Sequence, residues 1–181
     1  MVKKTYYSWQ DIHGFCQELG RQASIDKWIP DYVVGLTRGG LIPATILSHW
    51  FQCGMHTLDV RLRDGSGNLE SNCWMPEHAI GYIEPGSRPT GGCRYDPIFR
   101  KRILIVDDIN DSGSTLNWIK QDWQASCMPG DGVWDTVWGN NVRVAVLFNK
   151  ESSKSQLPVH YSAVDITETN DPGWIVFPWE I

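Results

Sequence analysis

The stretch Ile103-Leu-Ile-Val-Asp-Asp-Ile-Asn-Asp-Ser-Gly-Ser-Thr115 decides how the chain folds. Its first four residues, Ile103 to Val106, are apolar and mostly β-branched, and the run is too short for a helix. Such a run is typical of a β-strand that is buried on both faces. Asp107 and Asp108 follow at once. We expect them to end the strand, because adjacent carboxylates are costly to bury unless they meet water, a metal or hydroxyl groups.

The second half of the stretch is a turn of small and hydroxyl-bearing residues, Asp111, Ser112, Gly113, Ser114 and Thr115. A helical pattern follows it, with periodic positions at Leu116, Ile119, Lys120 and Trp123. Where a strand leads through such a turn into a helix, backbone N–H groups point outward and the helix N-terminus favours negative charge. One short loop therefore offers acids to hydroxyls or a metal, and amides and hydroxyls to a phosphate. That combination predicts a sugar phosphate as the ligand.

Each half of the stretch has other interpretations when it is taken alone. Two acids after an apolar strand also occur in phosphoacceptor receiver domains, but there they lie near the start of the domain. A Gly-Ser-Thr turn is often only a helix N-cap. A P-loop is excluded, because the chain has no Gly-Lys-Ser or Gly-Lys-Thr.

A second strand and turn of the same kind precede the first. Tyr32 to Leu36 is an apolar strand pattern that runs into Thr37-Arg38-Gly39-Gly40 and then into a helical pattern. Paired glycines let the backbone approach a ligand closely, and Arg38 supplies charge for a phosphate. Alone, this turn reads as an ordinary strand-to-helix connection with a surface arginine. Pro43 suits the first turn of the following helix, and Gly54 is the expected C-cap.

The remaining elements follow from periodicity and turn residues. Ser8 and Asp11 form a capping-box pattern for a first helix with an apolar stripe. His13, on the polar side of that stripe, is expected at the surface. Further strands are predicted over 56–62, 142–148 and 160–166, and loops over 63–100 and 125–141. A hairpin or small subdomain is predicted from Cys73 to Tyr82, and Trp134 and Trp138 are predicted packing anchors.

Composition limits the class of protein. A chain of 181 residues suits one domain spanning residues 1–181. Its net charge of −5 gives no global nucleic-acid footprint. The sequence has no apolar run of about 18 residues and no signal-peptide pattern, so no membrane partner is expected. The five cysteines are scattered without a Cys-x-x-Cys pair, which indicates reduced thiols in the cytoplasm.

Taken whole, residues 103–115 resemble the phosphoribosyl-diphosphate (PRPP) signature of the type I phosphoribosyltransferases. The turn at 37–40 resembles the diphosphate-binding loop of the same family, where the peptide is often cis. The resemblance implies an α/β, Rossmann-like fold: a mostly parallel twisted sheet flanked by helices, with the site at the carboxyl ends of the strands. It also implies a C-terminal hood (166–181) and a flexible cover loop (63–100). Family members often carry Ser-Tyr in that loop, whereas this chain has Arg61-Leu-Arg63, so Arg61 and Arg63 are weak candidates for diphosphate contact.

Two further motifs resemble one branch of the family. Phe148-Asn149-Lys150 and Trp174-Ile175-x-x-Pro-Trp-Glu180 are similar to Phe-Ala-Lys and Trp-Ile-x-x-Pro-Trp-Asp of xanthine-guanine and related 6-oxopurine enzymes. The resemblance implies that Lys150 donates to purine O6 and that Trp174 stacks on the ring. The carbonyl of Ile175 would accept from the group at C2, and Glu180 stands where those enzymes have Asp near the same group. Lysine, which has donors only, prefers a 6-oxo to a 6-amino group.

The implied reaction transfers ribose 5-phosphate from PRPP to N9 of guanine, xanthine or hypoxanthine and releases diphosphate. Asp107 and Asp108 would hold the ribose hydroxyls, with Mg²⁺ on Asp108 and, through a water, on Asp107. Asp111 would accept a proton near N7. The 5′-phosphate would lie on residues 111–115 and the diphosphate on Thr37, Arg38 and Gly39. The family usually forms homodimers or homotetramers.

Two rival functions stay open on the sequence. One is the same chemistry on adenine or a pyrimidine. The other is a PRPP- or nucleotide-binding regulator without turnover, which the altered cover loop keeps open although regulators of this kind usually carry a basic face or a DNA-binding domain.

Overall fold

Seven strands and four α-helices make up the regular structure of the described part of the chain. The computed structural model describes residues 3–60, 74–83, 95–128, 130 and 132–180. The strands are β1 (Lys4–Tyr6), β2 (Tyr32–Leu36), β3 (Gly54–Leu58), β4 (Ile103–Asn110), β5 (Val142–Lys150), β6 (Tyr161–Ile166) and β7 (Trp174–Val176). The helices are α1 (Trp9–Ile25), α2 (Leu41–Phe51), α3 (Trp74–Ile80) and α4 (Ser114–Ser126). Single 3₁₀ turns lie at Pro97–Phe99, Gly132–Thr136 and Pro178–Glu180.

Five of the strands form one parallel sheet, in the order β3-β2-β4-β5-β6. Alternate side chains of β4 enter two different cores. Ile103 and Ile105 pack with residues of α3 and α4, whereas Leu104 and Val106 pack with residues of α1 and α2. Helices therefore cover both faces of the sheet, and the predicted α/β fold with a doubly buried central strand is confirmed.

The central strand is longer than the sequence analysis predicted. Asp107 and Asp108 do not end β4, which runs on to Asn110. Its backbone stays paired with β5 through the acids, with Asp107 opposite Val146. Strand pairing uses backbone hydrogen bonds only. The ladder can therefore continue past the two acids because their side chains face the open cavity.

The first helix confirms its predicted start. The Ser8 hydroxyl accepts a hydrogen bond from the Asp11 N–H at 3.2 Å, and the Asp11 carboxylate accepts one from the Ser8 N–H at 2.7 Å. Ile12 and Cys16 of the predicted stripe are fully buried, and His13 is exposed.

Further predicted boundaries and one predicted element are wrong. Gln52, in the left-handed conformation with φ 53°, ends α2, and Gly54 instead begins β3. That strand ends at Leu58, although it was predicted to begin at residue 56 and reach 62. The hairpin or small subdomain predicted from Cys73 to Tyr82 is helix α3 where it is described, followed by an antiparallel bridge from Tyr82 to Tyr95. Burial of one helical stripe on the core outweighed the glycines and prolines around it.

The predicted loops are partly regular. The segment 125–141 contains the end of α4 and a 3₁₀ turn. Trp134 is buried and stacks on Trp138 at 5.5 Å, as expected of packing anchors. Residues 61–73 and 84–94, with Arg61 and Arg63 among them, lie outside the described residues.

The C-terminal segment returns to the beginning of the chain. Strand β7 pairs in parallel with β1, apart from the main sheet. Trp179 stacks on Phe177 with ring centroids 4.6 Å apart, which agrees with its predicted packing role. None of the helices in the described part of the chain combines the length and apolar character that a bilayer crossing requires.

Candidate active site

A cavity of about 1100 Å³ opens where β2, β3 and β4 end. It brings together the two turns that the sequence analysis singled out, although they lie some seventy positions apart in the chain. The lining comprises Thr37, Arg38, Gly39, Thr57, Asp59, Val60, Val146 and residues 107–116. Every residue predicted to contact PRPP through these two turns therefore faces one space.

Two carboxylates lie in the cavity with the 37–40 and 111–115 turns. Asp107 and Asp108 are half-buried on the last part of β4. The Asp108 carboxylate accepts a hydrogen bond from the Ile109 N–H at 2.8 Å, which fixes its direction. Burial raises the pKa of both carboxyl groups, and that of Asp107 more strongly because the charge of Asp108 also opposes its ionisation. Ionisation of these carboxyl groups is therefore unfavourable in the free protein. A ligand with hydroxyl groups or a positive charge would stabilise the ionised form.

The turn at 37–40 touches the second of these acids. A Cβ atom on Gly39 would lie 1.8 Å from an oxygen of Asp108, and one on Gly40 would lie 2.4 Å from the carbonyl oxygen of Val106. Only glycine fits at either place, because no real Cβ atom approaches so closely. The peptide between Thr37 and Arg38 is cis, as the resemblance implied.

The second turn leads into the N-terminus of α4. Gly113 is the N-cap, with φ 85°, and has no side chain with which to occupy the first turn of the helix. The hydroxyls of Ser112 and Ser114 lie 2.8 Å apart, and Ser114 and Thr115 line the cavity. Backbone N–H groups, hydroxyls and the positive end of a 13-residue helix therefore face the same space, which is the physical requirement for an anion site.

The connection between β5 and β6 supports this turn from behind. A Cβ atom on Gly113 would lie 2.3 Å from the backbone nitrogen of Ser155. The Lys154 N–H donates to the carbonyl oxygen of Ser112 at 3.1 Å, and the Asn117 side chain donates to the carbonyl oxygen of Lys154 at 3.0 Å. The turn at 111–115 is therefore held in place by the connection between β5 and β6.

Lys150, predicted for the base site, already contacts Asp111, the predicted proton acceptor. The ammonium of Lys150, at the end of β5, lies 2.6 Å from a carboxylate oxygen of Asp111. Both side chains remain partly accessible, with 26% of the Lys150 side chain and 58% of the Asp111 side chain exposed. Asp111 lines the cavity and Lys150 does not, so Lys150 reaches the candidate site through its contact with Asp111.

The three hood residues predicted for the base site lie outside the cavity lining. Trp174 is 58% exposed, and Ile175 is buried. The Glu180 carboxylate accepts a hydrogen bond from the Phe177 N–H at 3.0 Å. Burial is the main reason why the pKa of Asp108 is raised, and the negative charge of Glu180 raises it further. The end of the hood therefore lies near the two acids.

The sequence analysis missed several lining residues, of which Asp59 is the most polar. Its carboxylate accepts a hydrogen bond from the Thr37 hydroxyl at 2.7 Å. The predicted strand over 56–62 placed Asp59 mid-strand, whereas it directly follows the end of β3 at Leu58. With that end correctly placed, the rule that ligands bind at the carboxyl ends of parallel strands points to Asp59.

Comparison with known proteins agrees with this geometry. The family model for the phosphoribosyl transferase domain matches residues 3–181. The chain belongs to the phosphoribosyltransferase family. This phosphoribosyltransferase is 28% identical over 184 residues to the xanthine-guanine phosphoribosyltransferase of Cereibacter sphaeroides, covering 99% of this chain and 88% of the relative. It is 24% identical to the hypoxanthine-guanine phosphoribosyltransferase of Schizosaccharomyces pombe, covering 98% and 89%.

Solved structures share the fold. The purine phosphoribosyltransferase of Pyrococcus horikoshii is 26% identical, with a TM-score of 0.62 and coverage of 98% of this chain and 95% of that one. The xanthine-guanine-hypoxanthine phosphoribosyltransferase of Helicobacter pylori has a TM-score of 0.63 at 22% identity, covering 98% and 94%. The similarity therefore extends over nearly the whole of this phosphoribosyltransferase.

Proposed function

We propose that this phosphoribosyltransferase transfers ribose 5-phosphate from PRPP to N9 of a 6-oxopurine (guanine, xanthine or hypoxanthine), with release of diphosphate, in purine salvage. The observation that carries the proposal is the single cavity in which the 37–39 turn, the acids Asp107 and Asp108 and the 111–115 turn meet. The relatives named above are 6-oxopurine enzymes, which supports the choice of base.

The two turns suit the two phosphate groups of PRPP. The 5′-phosphate lies at the N-terminus of α4, where residues 112–115 offer N–H groups and hydroxyls. The diphosphate lies on Thr37, Arg38 and Gly39, where the guanidinium supplies a planar set of donors. Since Gly39 touches Asp108, the leaving group and the ribose are held next to each other.

The acids face the ribose between these turns. In the reaction, the N9 lone pair forms the bond to ribose C1, and the bond from C1 to the diphosphate oxygen breaks. Positive charge develops on the ribose as that bond lengthens. Asp107 and Asp108 accept hydrogen bonds from the ribose 2′- and 3′-hydroxyls, and their negative charge stabilises this developing positive charge.

The same acids fit a magnesium ion that is shared with the substrate. Within the described residues, no group of three or more His, Cys, Asp or Glu side chains forms a protein-only metal cage. Two adjacent carboxylate oxygens at an open cavity suit Mg²⁺, which binds through one or two carboxylates and keeps positions for water and substrate oxygens. Asp108, and Asp107 through a water, would hold it. When bound there, Mg²⁺ neutralises charge on the departing diphosphate.

The base site lies at the rim, where Lys150 and Asp111 meet. A 6-oxopurine entering there takes the ammonium of Lys150 on O6 and presents its N7 hydrogen to Asp111. That proton passes to the Asp111 carboxylate as N9 bonds to C1, so the nucleotide leaves neutral at N7. Because the two side chains now pair with each other at 2.6 Å, the purine exchanges one ion pair for two contacts.

The hood supplies the rest of the proposed base site. The exposed ring of Trp174 is free to stack on the purine, which is worth about 1–3 kcal/mol per base. The carbonyl of Ile175 and the carboxylate of Glu180 accept hydrogen bonds from an amino group at C2. We extend the proposal to a homodimer or homotetramer in the cytoplasm, in keeping with the free thiols of Cys16 and Cys53.

A panel of bases with PRPP and Mg²⁺ tests the choice of substrate. We expect guanine, xanthine or hypoxanthine to give the highest kcat/KM, with adenine and orotate both lower. Adenine should give about a tenth to a hundredth of that value, because a 6-amino group opposite Lys150 leaves two donors facing each other. Lys150→Ala should lower kcat/KM for guanine and hypoxanthine by about 10- to 100-fold and leave the low rate with adenine unchanged.

Trp174→Ala is the matched control for that variant. Stacking does not depend on the exocyclic groups, so this change should lower kcat/KM for every base by a similar factor and leave their ranking intact. A wild-type preference for adenine or orotate would refute the assignment of the base. Binding of PRPP without turnover of any base would favour the regulatory alternative.

A further inference from the structure

A row of polar side chains crosses three strands at the edge of the candidate site. Asn110 of β4 lies opposite Asn149 of β5, and Asn149 lies opposite Asp165 of β6. The Asn110 side-chain N–H donates to the Asn149 oxygen at 2.9 Å, and the Asn149 side-chain N–H donates to the Asp165 carboxylate at 3.1 Å. The three side chains form one chain of hydrogen bonds across the sheet.

The direction of this chain is determined by its end. An ionised carboxylate accepts hydrogen bonds only, so Asp165 requires the amide nitrogen of Asn149 on its side. The oxygen of Asn149 must then face Asn110, which in turn presents its nitrogen. This leaves the oxygen of Asn110 for the Ser153 hydroxyl, which donates to it at 3.0 Å. Asn110 is only 6% exposed, so its amide depends on these partners.

The row stands one residue before the two groups that the proposed reaction uses on the base. Asp111 follows Asn110, and Lys150 follows Asn149, so the amide pair joins the two strands where both side chains emerge. Their ion pair, 2.6 Å long, shows that they share one space. A purine that contacts both Lys150 and Asp111 requires a fixed distance between these two side chains. Asn149 hydrogen-bonds to β4 and to β6 one residue before Lys150.

We propose that Asn149 is a positioning residue for base recognition: it holds the ends of β4 and β5 so that Lys150 and Asp111 engage the same purine. The inference rests on the proposed function. Asn149 acts through Lys150 and Asp111 and makes no contact with the substrate itself.

The alternative is that Asn149 merely satisfies a buried amide and contributes only to stability. Asn141 offers a matched control, because it directly precedes β5 and its side chain also makes two hydrogen bonds. It donates to the carbonyl oxygens of Ala79 and Lys101 at 2.8 and 2.9 Å, at the opposite end of the strand from the cavity. Asn141→Ala and Asn149→Ala remove the same group near opposite ends of β5, and only Asn149 lies beside the candidate site.

The test is a double-mutant cycle with Lys150→Ala, measured as steady-state kinetics for guanine and PRPP. Asn149→Ala should raise KM for guanine by about tenfold and leave KM for PRPP within about twofold of wild type. In the Lys150→Ala background the same change should alter kcat/KM for guanine by less than about twofold, because the pair of side chains that Asn149 aligns has already lost one member. Asn141→Ala should leave both KM values unchanged in either background.

Each outcome decides the inference. If the wild-type protein converts 6-oxopurines but Asn149→Ala behaves kinetically like Asn141→Ala, or if its effect is fully additive with Lys150→Ala, the positioning role is wrong and the proposed function stands. If the wild-type protein converts no 6-oxopurine, both fail. Should Asn149→Ala not fold, Asn149→Ser, which keeps one polar partner, enters the same cycle with the same criteria.

Discussion

Replacement of Asp107 and Asp108 together by asparagine should lower kcat for nucleotide formation by at least about a thousandfold while the protein stays folded. Asparagine keeps the shape of each side chain and removes the charges that the proposed reaction places opposite the ribose. Loss of one such electrostatic group costs about 10² to 10³ in kcat. Initial rates with PRPP and guanine, with circular dichroism as the check on folding, measure the effect.

The same variant should be at least as stable as the wild-type protein at pH 7 in the absence of Mg²⁺. Burial raises the pKa of both carboxyl groups in the folded state, so the folded protein binds more protons than the unfolded chain above the unfolded value of about 3.9. Ionisation therefore destabilises the wild-type fold as pH rises through this window, and asparagine removes the penalty.

Melting temperatures of the two proteins at pH 7 and near pH 4, in EDTA, give the comparison. The gain from asparagine should shrink at the lower pH. An active double variant would show that Asp107 and Asp108 are not needed for the reaction. A double variant that is unfolded at pH 7 would show that their charges stabilise the fold instead.

Gly39→Ala should lower kcat/KM for PRPP by at least about a hundredfold. The new Cβ atom would lie 1.8 Å from the Asp108 carboxylate, so either the 37–40 turn or the acid must move. Both are assigned to the same substrate, and a displacement of about 1 Å in a reacting geometry costs about 10² in rate. Rates at varied PRPP concentration, with guanine held at saturation, show the loss.

Gly54→Ala provides the control for this change. Gly54 begins β3, and a Cβ atom there would meet nothing within 4 Å. Gly54→Ala should leave the kinetics unaltered. It therefore controls for any general effect of replacing a glycine near a strand end. If Gly39→Ala and Gly54→Ala have equal kinetics, the close approach of the 37–40 turn to Asp108 has no part in PRPP binding.

The two strand–turn–helix units could be predicted because their signals are local. Ile103 to Val106 is apolar on both faces, and Gly113 and Gly39 lie where the backbone has conformations or contacts that only glycine fits. Short-range chemistry of this kind can be read from residue types, and the resemblance to a family then suggested a ligand for each turn.

Strand ends and cross-strand partners were beyond prediction because they depend on the neighbouring strand. Asp107 stays in β4 because β5 pairs with its backbone, and Asp59 reaches the cavity because β3 stops at Leu58. The row through Asn149 exists only in the register that places it between Asn110 and Asp165. The residues adjacent to them in sequence do not indicate which residue of the next strand each one contacts.

Helix α3 is a different kind of error, because its signal was present. Met75 and Ala79 are four residues apart and both fully buried, and Pro76 lies in the first turn, where proline is tolerated. The glycines and prolines on either side of this short segment led to the prediction of a hairpin or small subdomain.

The most direct test of the account is the stoichiometry of the products formed from PRPP. We expect the purified protein, with Mg²⁺, PRPP and guanine, to form one guanosine 5′-monophosphate for each diphosphate released, as measured by chromatography with mass detection, and to release almost no diphosphate when the base is omitted. Diphosphate release that does not depend on a base, or the absence of a nucleotide product with guanine, xanthine and hypoxanthine alike, would contradict it.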